Sequence, residues 1–139
     1  IQYITIATTG NGGDFGDLTV ARSHSDAGSN AVRGICSGGI NVHPVTASGL
    51  ENVMDYVTIA SLGNAVDFGD STIAVYGRAV STSSTRLVNA CGSTGSADKN
   101  VMDYVQIATT GNAIDFGDAI PNAGLEGPVG TSNGHGGLG

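Results

Sequence analysis

Eighteen residues, MDYVTIASLGNAVDFGDS (Met54–Ser71), return as MDYVQIATTGNAIDFGDA (Met102–Ala119). A third version, IQYITIATTGNGGDFGDL, occupies Ile1–Leu18. A chain written this way either holds one chemical site three times or repeats one brick of architecture. The aspartates that open the three DFGD motifs, Asp14, Asp67 and Asp115, lie 53 and 48 residues apart. Periods of about 40–50 residues mark propeller blades and related arrays. A unit of such an array cannot bury both of its faces alone and needs a neighbour on either side.

The second period divides into short strands. DYVTIAS (Asp55–Ser61) alternates Tyr56, Thr58 and Ala60 with Val57, Ile59 and Ser61, with β-formers on both faces, as stacked sheets require. LGNAVD then supplies Gly63-Asn64, a turn signal because both residue types tolerate positive φ. DFGDSTIAVY resumes as a strand with a bulge expected at Gly69. GRAVSTSSTR reads as a third strand ending in a polar turn, RLVNACGST (Arg86–Thr94) as a fourth, and GSADKN (Gly95–Asn100) as a loop. The first period parses the same way, with a turn at Gly28-Ser29-Asn30, a strand closing on Gly38–Gly39, and a longer loop at Asn41–Asn52. Variable loops on a constant frame are where binding usually resides.

Composition agrees with an all-β chain. Valine, isoleucine, alanine and leucine supply most of the apolar 40%, glycine occurs 23 times without a three-residue period, and no window carries an apolar stripe at helical spacing. The net charge of −7, with no basic cluster, argues against a nucleic-acid partner. No apolar run approaches the roughly 20 residues that span a bilayer. The chain opens without Met and inside a repeat, so a processed or partial piece of a longer polypeptide is expected. Cys36 and Cys91 are taken to occupy related places in successive repeats, as a disulfide or metal pair or as two small buried apolar residues. The second of these readings is preferred, because neither thiol has a neighbouring His or Cys in a zinc pattern.

A strand with RGICSGG, then NVMDYV, a Gly-Asn turn and DFGDLTVARSHS resembles a kelch-type β-propeller blade. The marks of that family would be Gly38–Gly39 closing one strand, Tyr56 on the next and Arg22 after the third, with Phe15, Phe68 and Phe116 in place of the usual tryptophan. In the second copy the glycine pair is read as Gly92–Ser93. TIATTGNGGDFGDL (Thr5–Leu18), with SSTR (Ser83–Arg86), the Gly38–Gly39 pair and the terminal SNGHGGLG, is similar more specifically to kelch-like repeats of virion structural proteins from marine tailed bacteriophages, including cyanophages. The resemblance runs from Ile1 to about Ile120. It implies a tail-, fibre- or capsid-associated protein acting in assembly and host attachment, located in the virion. Its implied partners are other virion proteins, copies of itself, or a host-surface glycan or protein. The alternative is a secreted or cell-surface carbohydrate-binding propeller.

The sharpest candidate site residues are the aspartate pairs Asp14 and Asp17, Asp67 and Asp70, and Asp115 and Asp118. They could offer hard oxygen ligands to Ca²⁺, or they could cap turns through backbone N–H groups. One pair per repeat favours the structural role, and no cofactor is otherwise expected. No catalytic residue is assigned. Each aspartate pair is too local, and too often repeated, to form the carboxylates of a glycosidase. His24, His43 and His135 show no triad spacing, and neither Gly10–Gly16 nor Gly134–Gly137 joins a strand to a helix as a phosphate loop does. No enzyme is expected. Candidate binding-loop residues are Ser23, His24, Asp26, Asn30, Asn41, His43 and Ser48. The expected architecture is all-β: kelch-like propeller blades of four-stranded antiparallel sheets over residues 1–120. They would form a partial propeller, or one completed by other residues or copies. A Gly/Pro/Asn-rich tail (residues 121–139) is expected to break the repeat.

Overall fold

The computed structural model describes residues 1–120 and 127–132. Among the described residues ten strands follow in order: β1 (Gln2–Tyr3), β2 (Gly13–Asp14), β3 (Asp26–Ser29), β4 (Arg33–Ile40), β5 (Leu50–Thr58), β6 (Val66–Asp70), β7 (Ala79–Thr82), β8 (Arg86–Ala90), β9 (Val101–Gln106) and β10 (Ile114–Asp118). They form three antiparallel sheets: a β1–β2 pair, a four-stranded sheet in the order β3-β4-β5-β6, and a second four-stranded sheet in the order β7-β8-β9-β10. Each four-stranded sheet is a simple meander, so every neighbour in sequence is a neighbour in space.

The all-β expectation holds, and so do four-stranded sheets, but their phase differs from the sequence parse. The parse grouped strands from Asp55 to Thr94 as one unit. The observed sheets run from Asp26 to Asp70 and from Ala79 to Asp118, so the second and third copies of the repeat form the last two strands of their sheets, and the first copy forms the β1–β2 pair. DFGDSTIAVY does not continue as a strand. Pairing stops at Asp70, because Ser71 turns its N–H and hydroxyl onto the Asn52 carbonyl. The loop expected at Asn41–Asn52 already enters β5 at Leu50.

The bulge expected at Gly69 is present. Met54 pairs with Gly69 and Asp55 with Asp67, which leaves Phe68 as the extra residue, and β10 repeats this between Asp115 and Gly117. The bulge turns Phe68 into the space between the two large sheets. There Ile35, Met54 and Phe68 meet Leu87, Val105 and Ile107, with Tyr56, Val80 and Ala113 packed around them.

The second glycine pair needs correction. Gly38 and Gly39 have φ of 63° and 114°, and the residues with φ of 59° and 114° in the next sheet are Cys91 and Gly92. The pair is therefore Cys91–Gly92, not Gly92–Ser93. With Arg33 and Arg86 both opening their strands, Cys36 matches Asn89, so the cysteines do not occupy equivalent positions. Both are free, and burial pushes the Cys91 thiol above its ordinary pKa.

The described part of the tail, residues 127–132, lies against the second large sheet. Gly77 N–H donates to the His24 carbonyl (3.1 Å), and Gly127 N–H donates to the Gly77 carbonyl (3.1 Å). These three residues share a left-handed conformation, with φ of 55°, 57° and 67°. Farther along, the Ser132 hydroxyl donates to the Thr82 carbonyl. Residues 127–132 thus lie against β7 as a third inner segment. Residues 121–126 and 133–139, with His135 and the GHGG motif, fall outside the described residues.

Candidate functional site

Three structural devices recur at the places the repeated sequence marks. The first is a joint between sheets. Gly63 N–H donates to the Phe15 carbonyl (2.8 Å), Ala65 N–H to the Asp17 carbonyl (2.8 Å), and Asp17 N–H to Asn64 Oδ1 (2.9 Å). One repeat later Gly111 N–H donates to Phe68 (2.7 Å), Ala113 N–H to Asp70 (2.8 Å), and Asp70 N–H to Asn112 Oδ1 (3.0 Å). The Gly-Asn turn is therefore more than a hairpin: it clips onto the DFGD of the preceding sheet. The glycines of DFGD make this approach possible, since a Cβ at Gly16 or Gly69 would collide with the carbonyl of Gly63 or Gly111.

The second device is a stack of Arg, Tyr and Phe. The Arg33 guanidinium lies 4.5 Å from the Tyr56 ring centroid, and Tyr56 meets Phe68 edge-on at 5.9 Å. Arg86, Tyr104 and Phe116 repeat this at 4.8 and 5.9 Å, and Tyr3 and Phe15 form the edge-on pair at 6.2 Å. Such cation–π and edge-to-face contacts are worth about 0.5–1.5 kcal/mol each.

The third device is a buried aspartate on the strand before the bulge. Asp55 accepts from Arg22 Nη1 (2.6 Å) and from the Thr19 hydroxyl, and both side chains of the ion pair are fully buried. Arg22 also donates through Nε to the Gly38 carbonyl (2.9 Å), which joins two of the residues singled out by the resemblance. In the next sheet Asp103 accepts from Thr72 N–H (2.8 Å), the Thr72 hydroxyl (2.7 Å) and Asn89 Nδ2 (2.7 Å). Its arginine comes from a different place in the repeat, Arg78, at 4.0 Å. Burial pushes the Arg78 pKa below its ordinary value, opposed by the charges of Asp103 and Asp26.

Asp17 and Asp70 enter the first device through main-chain groups. Asp67 Oδ1 and Asp115 Oδ1 each accept from the N–H of the glycine two residues on (3.3 Å in both), so they cap the bulge. Among the described residues no group of three or more His, Cys, Asp or Glu side chains is placed to hold a metal.

The candidate loop residues separate into several places. Ser23, His24 and His43 come together: the Ser23 hydroxyl is 3.0 Å from His43 Nε2 and 3.0 Å from His24 Nδ1. The His24 ring lies 5.6 Å from that of His43 and 5.9 Å from that of Tyr76. Asn41 donates to Glu51, and Ser48 faces Thr46 at 3.0 Å. Asn30 lies at the opposite end of β3, where its amide donates to the Ser84 carbonyl (3.0 Å). It lines an open depression of about 420 Å³ with Ser29, Val32 and Ser83.

His24 holds a left-handed backbone where Gly77 and Gly127 are free to do so. The side chain is exposed, and its contacts with the Ser23 hydroxyl and the His43 and Tyr76 rings are worth less than a left-handed strain of about 1–2 kcal/mol. His24→Gly should therefore raise stability by about 1 kcal/mol, read as a higher urea midpoint at constant slope.

Asp26 faces inward near Arg78. Desolvation raises its pKa, and the Arg78 charge opposes the rise. The folded state then holds this proton more tightly than the unfolded chain, so ionising Asp26 costs stability as the pH rises. Asp26→Asn should raise the melting temperature at pH 7. The gain should vanish below the free-aspartate value of 3.8, where both states carry the proton. A lower melting temperature at pH 7 would show the Arg78 attraction to outweigh burial.

No family model and no curated protein matches this chain. Among the described residues no helix is long and apolar enough to cross a membrane.

Proposed function

We propose that this chain is a non-enzymatic structural protein of a tailed-phage particle, tail-, fibre- or capsid-associated. Its repeated sheets act as propeller blades for assembly, and its edge loops face the host surface. The observation that carries the scaffold reading is the joint between sheets, made twice with the same atoms at 2.7–3.0 Å. A device repeated with the brick belongs to the brick, whereas a site of chemistry would single out one copy. The placement in a virion is supported by the resemblance of the repeated wording alone. Antibodies against the chain, used in immunogold electron microscopy of purified particles, test it. Labelling at one fixed structural feature is expected, and particles that stay unlabelled while the free protein is detected would sink the proposal.

A second reading, a secreted or cell-surface carbohydrate-binding propeller, is favoured by one observation. His24, His43 and Tyr76 form a cluster of rings at one end of the sheets. Rings gathered on a loop surface are the usual platform for a sugar face. Selective binding on a glycan array, lost in His24→Ala and His43→Ala, would favour it.

A further inference from the structure

The joint between sheets leaves one half open at each end of the chain. At the C-terminal side, the third DFGD (Asp115–Asp118) has no Gly-Asn turn upon it among the described residues. A Cβ at Gly117 would meet nothing, whereas its equivalents Gly16 and Gly69 sit against a carbonyl. Phe116 is 50% exposed, while its equivalent Phe68 is 2% exposed. Met102 is half-buried, while its equivalent Met54 is buried.

At the N-terminal side the complementary parts are free. The turn Gly10-Asn11-Gly12 matches Gly63-Asn64-Ala65 and Gly111-Asn112-Ala113, but it clips onto no DFGD among the described residues. Ile4 and Ile6 match Val105 and Ile107, the residues that cover Phe68 in the engaged joint. Val105 and Ile107 are buried and Ile59, the counterpart of Ile107 in the other engaged joint, is 46% exposed, whereas Ile4 is 67% and Ile6 94% exposed. The chain therefore displays two apolar patches and two sets of backbone groups, and the engaged joints show how they fit.

We infer that a second copy of this chain docks head-to-tail on the first. Its Gly10–Gly12 turn clips onto Phe116–Asp118, and its Ile4 and Ile6 cover Phe116 and Met102. The contacts follow from the engaged joints. Gly10 N–H donates to the Phe116 carbonyl, Gly12 N–H to the Asp118 carbonyl, and Asp118 N–H to Asn11 Oδ1. Gly63 and Gly111 hold φ of 153°, outside which Gly10 now lies, and glycine makes that change at little cost.

The composite unit also receives an inner segment. Residues 127–132 of the first copy already lie against β7, the place the first strand of a sheet takes, and β1 and β2 of the second copy take the third and fourth places; the place of β4 and β8 is filled by none of the described residues. A head-to-tail contact closes into a ring or grows into a filament. Two copies joined in this way are the smallest assembly that the contact gives.

The inference deepens the scaffold reading and does not depend on the virion one. A chain that dimerises but is absent from particles would leave the joint standing. The test is light scattering of the 139-residue chain after size-exclusion chromatography, at micromolar concentration. The expected mass is twice 13.8 kDa or a higher multiple of it. Ile6→Asp and Phe116→Asp change exposed side chains, so each should keep its circular dichroism spectrum. Each should weaken the dimer by at least on the order of a hundredfold, since a carboxylate is buried in place of an apolar group. Mixing the two variants should restore association, because one intact head then meets one intact tail. A monomeric parent chain, variants that still dimerise, or a mixture that stays monomeric would each overturn the inference.

Discussion

Asp55→Ala is expected to destabilise the chain by about 3–5 kcal/mol, because it leaves the Arg22 guanidinium buried without its counter-charge. The ion pair is fully buried at 2.6 Å, so solvent does not screen it. Arg22 keeps three carbonyl partners, Gly38, Val20 and Cys36, but none of them carries charge. Against a typical total stability of about 5–15 kcal/mol such a loss is a large fraction, readable as a fall in the urea midpoint. Replacing both partners with apolar residues of similar size, Asp55→Leu with Arg22→Met, should cost much less than the two single changes added together. A single-variant loss below about 1 kcal/mol would mean that water reaches Arg22 once Asp55 is gone.

Phe68→Ala should cost a comparable 3–5 kcal/mol for a different reason. The ring sits between the two large sheets, against Met54, Val105 and Ile107. Its removal opens a cavity that two sheets held by the backbone joint are poorly able to close. It also removes the edge-on partner of Tyr56. The same substitution at Phe116, half in solvent, should cost less than about 1 kcal/mol in the isolated chain. Thermal unfolding of the two variants in parallel checks this, and equal losses would show that the bulge phenylalanine acts within its own sheet rather than between sheets.

Much of the fold is legible in the residues. Alternation in DYVTIAS, the Gly-Asn turn and the glycine of DFGD give strands, turn and bulge, because each is decided by neighbours in sequence. The phase of the sheets is not legible. The turn read at Gly28-Ser29-Asn30 joins Asp26–Ser29 to the strand of Arg33, but nothing local shows that the strand after DFGD belongs to the next sheet and not to the same one. The use of Asn64 and Asn112 is hidden for a related reason: they bond Asp17 and Asp70, more than forty residues away. The buried ion pairs escape because the arginine changes position between repeats, Arg22 in one and Arg78 in the next, while the aspartate does not move. The left-handed Cys91 hid the second glycine pair, since a cysteine there carries no turn signal. Of the candidate loop residues, the meeting of Ser23, His24 and His43 across twenty residues depends on β3 and β4 turning back on each other.

The contacts between sheets also bear on how such a gene can change. The clip uses main-chain atoms and one asparagine amide, and the side-chain requirements around it, the glycine of DFGD and the apolar residues about its phenylalanine, lie within the repeated unit itself. A coding sequence in which almost identical stretches recur is prone to unequal recombination, which adds or deletes a whole period at once. Here the product of such an event meets its new neighbours through the same atoms as before. The number of units can therefore drift between lineages without any compensating substitution, while the loops are left free to diverge.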